Sequence, residues 1–213
     1  MSTESKKTGY SPTELQGTYM AMIDVVLPQA FRDALKREVK ETDWNQDCDV
    51  NKGETFETQS HVTVHMKLPL PPSDDLVRKC RALGPFHISL EGLSAFCNVD
   101  KKFADTGDKL HNYDVLIVNV KLEDDSVTGE KSETKASSLL EFHRLLSREY
   151  KVEWQHPSFH PHVTLAYLKG GSSQYYIQKL QETKMFPVVG IPVSEIQFRK
   201  FRDRESKPII VSL

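Results

Sequence analysis

At 213 residues, 27% of them charged and 38% hydrophobic, the chain has an ordinary globular composition and enough length to bury a core. Its formal net charge of -2 excludes a global basic field that would draw it to nucleic acid or anionic lipid, so an anionic ligand needs a local site. Three scattered cysteines (Cys48, Cys80, Cys97) form no C-x-x-C pair, which argues against a thiolate zinc site and for a reducing compartment.

The opening segment, MSTESKKTGYSPTE, has no apolar core of the signal-peptide type, and no run approaches the roughly 20 apolar residues of a membrane span. The expectation is a cytoplasmic monomer with no membrane partner, a disordered tail over 1–16 and a single domain over 17–213. TYMAMIDVVL, from Thr18 to Leu27, reads as a strand, and Pro28 is placed to open a helix over QAFRDALKREVKE. Phe31, Leu35 and Val39 fall on one face of that helix. SHVTVHMKL alternates with period two, placing Val62 and Val64 on one side and His61, Thr63, His65 and Lys67 on the other. SDDLVRKCRAL starts a helix with Ser73 as N-cap, and PFHISLEGLSAF is the next strand.

The pattern then begins again. YDVLIVNVKL is a strand, TKASSLLEFHRLLSREY a helix, and HVTLAYL a strand from His162. SSQYYIQKLQET is a helix capped by Ser172 or Ser173, FPVVGIPVSEIQFRKF reads as one strand, and KPIIVSL closes a hairpin with it. The order strand, helix, H-V-T strand, helix, strand therefore occurs twice. The spacing from His61 to Phe96 nearly matches that from His162 to Phe198. Such a repeat predicts an α+β chain of two pseudo-symmetric antiparallel sheet/helix lobes around a central cleft.

On each H-V-T strand, residues i and i+2 share a face, so an imidazole and a hydroxyl stand side by side. Two such pairs supply two groups that titrate near neutral pH and two hydroxyl donors. One neutral His can take a proton while the other, protonated, gives one to a leaving oxygen. Thr63 and Thr164 can hold the non-bridging oxygens of a phosphate. His61, Thr63, His162 and Thr164 are thus the catalytic candidates for phosphodiester cleavage.

Other residues weigh less. Tyr19 and Trp154 are candidates to stack a base, and core or loop packing is the bland alternative for both. Lys67, Lys169, Arg199 and Arg202 could assist a phosphate, but basic side chains are common on surfaces. HIS at 87–89 is a third match with no counterpart in the second half, its His87, Ser89 and Glu91 facing solvent. His65 reads as a surface histidine and His143 as a helix-face histidine with no role. His156 and His160 read as parts of the loop before the second motif. With Pro157 and Pro161 breaking the approach and no acid in the segment, His156, His160 and His162 do not make a metal site, and no metal or cofactor is expected.

HVT at 61–63 and PHVTLAYL at 161–168 resemble the two H-x-[TS] motifs of the 2H phosphoesterase superfamily, the LigT-like or 2′-5′ RNA ligase-like proteins. PFHISLEGLSAF is similar to the strand that follows the first helix after motif one. The resemblance spans about 17–213 and implies a bilobal LigT-like fold with interleaved lobes. It also implies metal-independent hydrolysis of cyclic or 2′-linked phosphodiesters, with both histidines catalytic and both threonines phosphate-binding. The implied partner is a nucleotide, cyclic oligonucleotide or RNA-end substrate. Two alternatives stay open: a hydrolase of cyclic or 2′-5′ oligonucleotide immune messengers, with immune evasion as a role, and a binding module for RNA or nucleotides without turnover.

Overall fold

The computed structural model describes residues 17–43, 60–99, 113–121, 138–152, 158–184, 186, 188–201, 203 and 206–213. Among these, eight strands form one antiparallel sheet: β1 (Tyr19–Asp24), β2 (His61–Leu68), β3 (Phe86–Val99), β4 (Tyr113–Lys121), β5 (His162–Lys169), β6 (Val188–Val193), β7 (Glu195–Lys200) and β8 (Ile209–Ser212). Four helices accompany them: α1 (Gln29–Glu38), α2 (Asp74–Leu83), α3 (Ser138–Tyr150) and α4 (Ser173–Gln181). None of these helices is long and apolar enough to cross a membrane.

The sheet order is β6-β3-β4-β5-β2-β1-β7-β8, which puts the two H-V-T strands together at the centre. The strands that follow each motif in sequence pair with strands of the other half: β3 lies beside β4, and β6 and β7 lie beside β3 and β1. FPVVGIPVSEIQFRKF is not one strand but two, interrupted at Ser194. Because β6 lies at one edge and β7 next to the other, that single residue requires the sheet to curl until its ends approach. The Leu213 amide donates to the Ser194 carbonyl at 2.8 Å and ties the last strand to this junction. The predicted closing hairpin is present as β7 paired with β8.

Alternation decides which face meets the helices. Ala21, Ile23, Val62, Val64, Leu116, Val118, Val163 and Leu165 join Phe31, Leu76, Phe142 and Tyr176 of the four helices in one core. A smaller cluster of Tyr113, Val115 and Ile117, with Tyr167, lies on the opposite face. Ser73 caps α2, its hydroxyl accepting from the Leu76 amide at 3.2 Å, a contact worth about 1 kcal/mol. At α4 neither predicted serine caps with its side chain. Buried Asp114 of β4 instead accepts from the amides of Gly171 (2.9 Å) and Ser173 (3.1 Å). A carboxylate suits this position, since it takes two otherwise orphaned donors at the positive end of the helix.

Candidate active site

Val62 and Val163 face one another where β2 meets β5, and both are fully buried in the core. Stepping one residue along each antiparallel strand brings His61 opposite Thr164 and Thr63 opposite His162. All four side chains then point away from the helix-covered face and are half-buried. Each histidine is therefore grouped with the threonine of the other motif as well as its own. Directly opposed side chains carry Cβ atoms about 5 Å apart, close enough to hold one small anion between them.

The flanking strands repeat the symmetry. Asp24 of β1 pairs with His61, and Asn119 of β4 pairs with His162. The amide after each of them binds the carbonyl before each histidine: Val25 to Ser60 at 2.8 Å, and Val120 to Pro161 at 3.1 Å. The next strand out then anchors each flanking side chain. Gln197 Nε2 donates to Asp24 Oδ2 at 2.5 Å, and the Ser94 hydroxyl donates to Asn119 Oδ1 at 2.9 Å. None of these four residues was singled out from the sequence, because their placement depends on strand pairing and not on any local motif.

His162 Nδ1 donates to the His160 carbonyl at 2.9 Å. A carbonyl only accepts, so the neutral ring carries its proton on Nδ1 and its lone pair on Nε2, ready to take a proton. His160 is more than a loop marker. Its Nε2 donates to Asn119 Oδ1 at 3.3 Å, and its ring centroid lies 6.1 Å from that of Phe96. Phe96 also meets the His162 ring edge-to-face at 4.9 Å. His156 and Trp154 lie outside the described residues.

Both motif strands carry a bulge after the threonine. The register shifts between Ala21 and Met22 opposite β2, and between Leu116 and Ile117 opposite β5. The extra residue sends Val64 and His65, and equally Leu165 and Ala166, to the core side. His65 is therefore not a surface histidine on the face of His61; it is fully buried. Its Nδ1 donates to the Met66 carbonyl at 2.7 Å, and its Nε2 lies 3.0 Å from the Ser147 hydroxyl of α3. Nor is His143 without a role. Its Nδ1 donates to the Val64 carbonyl at 2.8 Å, and its ring stacks between His65 (5.1 Å) and Phe159 (4.2 Å). This aromatic wedge ties the bulged part of β2 to α3 and to Phe159, just ahead of β5. Burial holds the His65 imidazole down to about 4 and lowers His143 as well.

Tyr19 packs against the main core, on the side away from the motif residues. Lys67, at φ 59°, and Lys169 stand near the far ends of the two motif strands, Arg199 lies on the motif face of β7, and Arg202 is outside the described residues. His87 and Glu91 are exposed as expected, whereas Ser89 is buried and accepts from the Gly190 amide at 3.4 Å. Among the described residues, no three His, Cys, Asp or Glu side chains converge as a metal-binding group.

No family model matches the sequence, and no curated protein matches it. Solved structures do. Usb1 of Kluyveromyces marxianus is similar over 95% of this chain and 100% of its own, at 13% identity and a TM-score of 0.47; its form with uridine monophosphate gives 12% and 0.48. A structure described only as a phosphoesterase covers 92% of this chain and 95% of its own, at 13% identity and a TM-score of 0.40. E. coli LigT, in apo form, covers 92% of this chain and 94% of its own, at 13% identity and a TM-score of 0.35.

Proposed function

We propose that the chain is a phosphodiesterase in which His61 and His162 act as general acid and base on a phosphodiester held by Thr63 and Thr164. The observation that carries this reading is the Val62–Val163 register, which groups two imidazoles and two hydroxyls in a pseudo-symmetric set on one face. The two hydroxyls donate to the non-bridging oxygens and stabilise the charge that builds on them during attack. An imidazole on each side of the phosphorus then matches in-line displacement, in which the entering and leaving oxygens stand opposite one another. His162, with Nε2 as its lone-pair nitrogen, is the side chain prepared to receive a proton from the attacking hydroxyl or water. His61 gives a proton to the leaving oxygen, and the roles reverse for the reverse step.

The substrates that fit are nucleotides with a cyclic or 2′-linked phosphodiester, RNA ends among them. The test is product analysis after incubation with 2′,3′-cyclic mononucleotides, 2′-5′ oligoadenylate and cyclic dinucleotides in the presence of a chelator. Turnover of one class, abolished by His162→Ala, is the expected result. Tight binding with every substrate intact would instead establish a binding module, and turnover confined to the cyclic dinucleotides or oligoadenylate would identify a messenger hydrolase.

A further inference from the structure

The pseudo-symmetry around the motif pair fails at one position that faces the site. Ser94 on β3 and Gln197 on β7 are equivalents, since each anchors the residue beside a motif histidine. Two residues further on, on the same face, stand Phe96 and Arg199. Two strand spacings across and two residues along place each Cα about 12 Å from the threonine of its own half. One side of the site therefore ends in an aromatic ring and the other in a guanidinium.

Both side chains are built into place. Phe96 is 38% exposed, one of the few large apolar side chains left open, and its ring is braced by the rings of His162 and His160. Arg199 is half-buried, with Nε and Nη2 donating to Gln197 Oε1 at 3.1 and 2.9 Å. The same Gln197 amide holds Asp24, so the guanidinium is aligned by the framework that flanks His61. Because Asp24 is held by Nε2 of the amide whose Oε1 receives Arg199, its carboxylate lies within about 8 Å of the guanidinium and offsets part of its attraction for an anion.

We infer that Phe96 and Arg199 set the direction in which a nucleotide chain lies across the site. A base stacks on Phe96 and His160 on the His162 side, and a phosphate one link beyond the scissile one meets Arg199 on the His61 side. This rests on the phosphodiesterase reading above, and it deepens it to substrates with a second phosphate: an oligonucleotide, not a mononucleotide. The opposite direction would lay a phosphate against an apolar ring that offers no donor. An aromatic face stacks any base, and a guanidinium fork matches phosphate oxygens.

The test compares two ligands with the same terminal base and 2′,3′-cyclic phosphate, one a mononucleotide and the other a dinucleotide. Arg199→Ala should raise KM for the dinucleotide about tenfold, the scale of a hydrogen bond to a charged group, and leave the mononucleotide unchanged. Phe96→Ala should weaken both ligands by about tenfold, and Phe96→Tyr should restore them. Equal loss on both ligands in Arg199→Ala, no loss at all, or unaltered binding in Phe96→Ala would overturn the inference. Should the wild-type protein cleave neither ligand, the assignment of a 2′,3′-cyclic phosphate as the scissile group fails on its own, while catalysis as such is decided by the wider substrate panel above. Equilibrium binding of the same two ligands to the same variants then decides the direction: a dinucleotide-specific loss in Arg199→Ala upholds it, and the absence of one refutes it.

Discussion

Val62 lies directly opposite Val163 across the junction of the two central strands, and both are sealed in the core. That one apolar contact fixes the registration of everything polar on the other face. A slip of β2 by a single residue would turn His61 and Thr63 toward the helices and separate them from His162 and Thr164. The valines at the centre of the two H-V-T motifs are thus what hold the motifs in register.

The threonines can be tested without disturbing this register. Thr63→Val and Thr164→Val keep the β-branched shape that suits a strand and remove only the hydroxyl. Each is expected to lower kcat by about 10²-fold, the scale of losing one donor to a developing oxyanion, while the denaturation midpoint stays near wild type. Steady-state kinetics beside urea titration checks this. A matching fall in stability would mean that the hydroxyls serve the fold.

The His65–His143 wedge predicts an acid-sensitive fold. Both imidazoles have folded pKa values depressed by burial, so the unfolded chain binds more protons than the folded one once pH falls below its ordinary histidine value. Stability should be level above about pH 6.5 and fall as pH drops toward about 4, with His65 contributing on the order of 3 kcal/mol across that window. His65→Gln cannot titrate. It should start less stable at pH 7 and lose less on acidification. A variant with an undiminished acid slope would show that the wedge is not the sensor.

Asp114 predicts a stability effect with no direct catalytic component. It lies at the far end of β4 from Asn119 and satisfies two amides at the start of α4. Asp114→Ala strands both donors in a buried site and should cost about 2–4 kcal/mol. Asp114→Asn keeps one acceptor oxygen and should cost less. Urea midpoints with an unchanged slope would check the ordering, and an Asn variant worse than Ala would contradict it.

Much of this was legible before any coordinates. Element order, the repeat and the pairing of His and Thr on two strands follow from period-two alternation and from the second HVT, 101 residues after the first. What could not be read is whatever depends on pairing between distant strands. A single bulge residue moves His65 from one face to the other, and nothing local in VTVHMK marks it. Phe96 and Phe198 look equivalent by spacing, yet Phe198 is buried against the core and the pseudo-symmetric counterpart of Phe96 is Arg199. Asp24 and Asn119 reach the site only because the strands after the motifs change halves, leaving β1 and β4 beside β2 and β5. Asp114 caps a helix that begins 59 residues further along, a distance no capping pattern spans.

The pH profile of kcat/KM for wild type, His61→Ala and His162→Ala tests the central claim most directly. Two histidines working as acid and base predict a bell for the wild type, a fall of about 10²–10⁴-fold in each variant, and loss of one limb in one variant and of the other limb in the other. Wild-type activity in either variant, or the same limb disappearing from both, would contradict it.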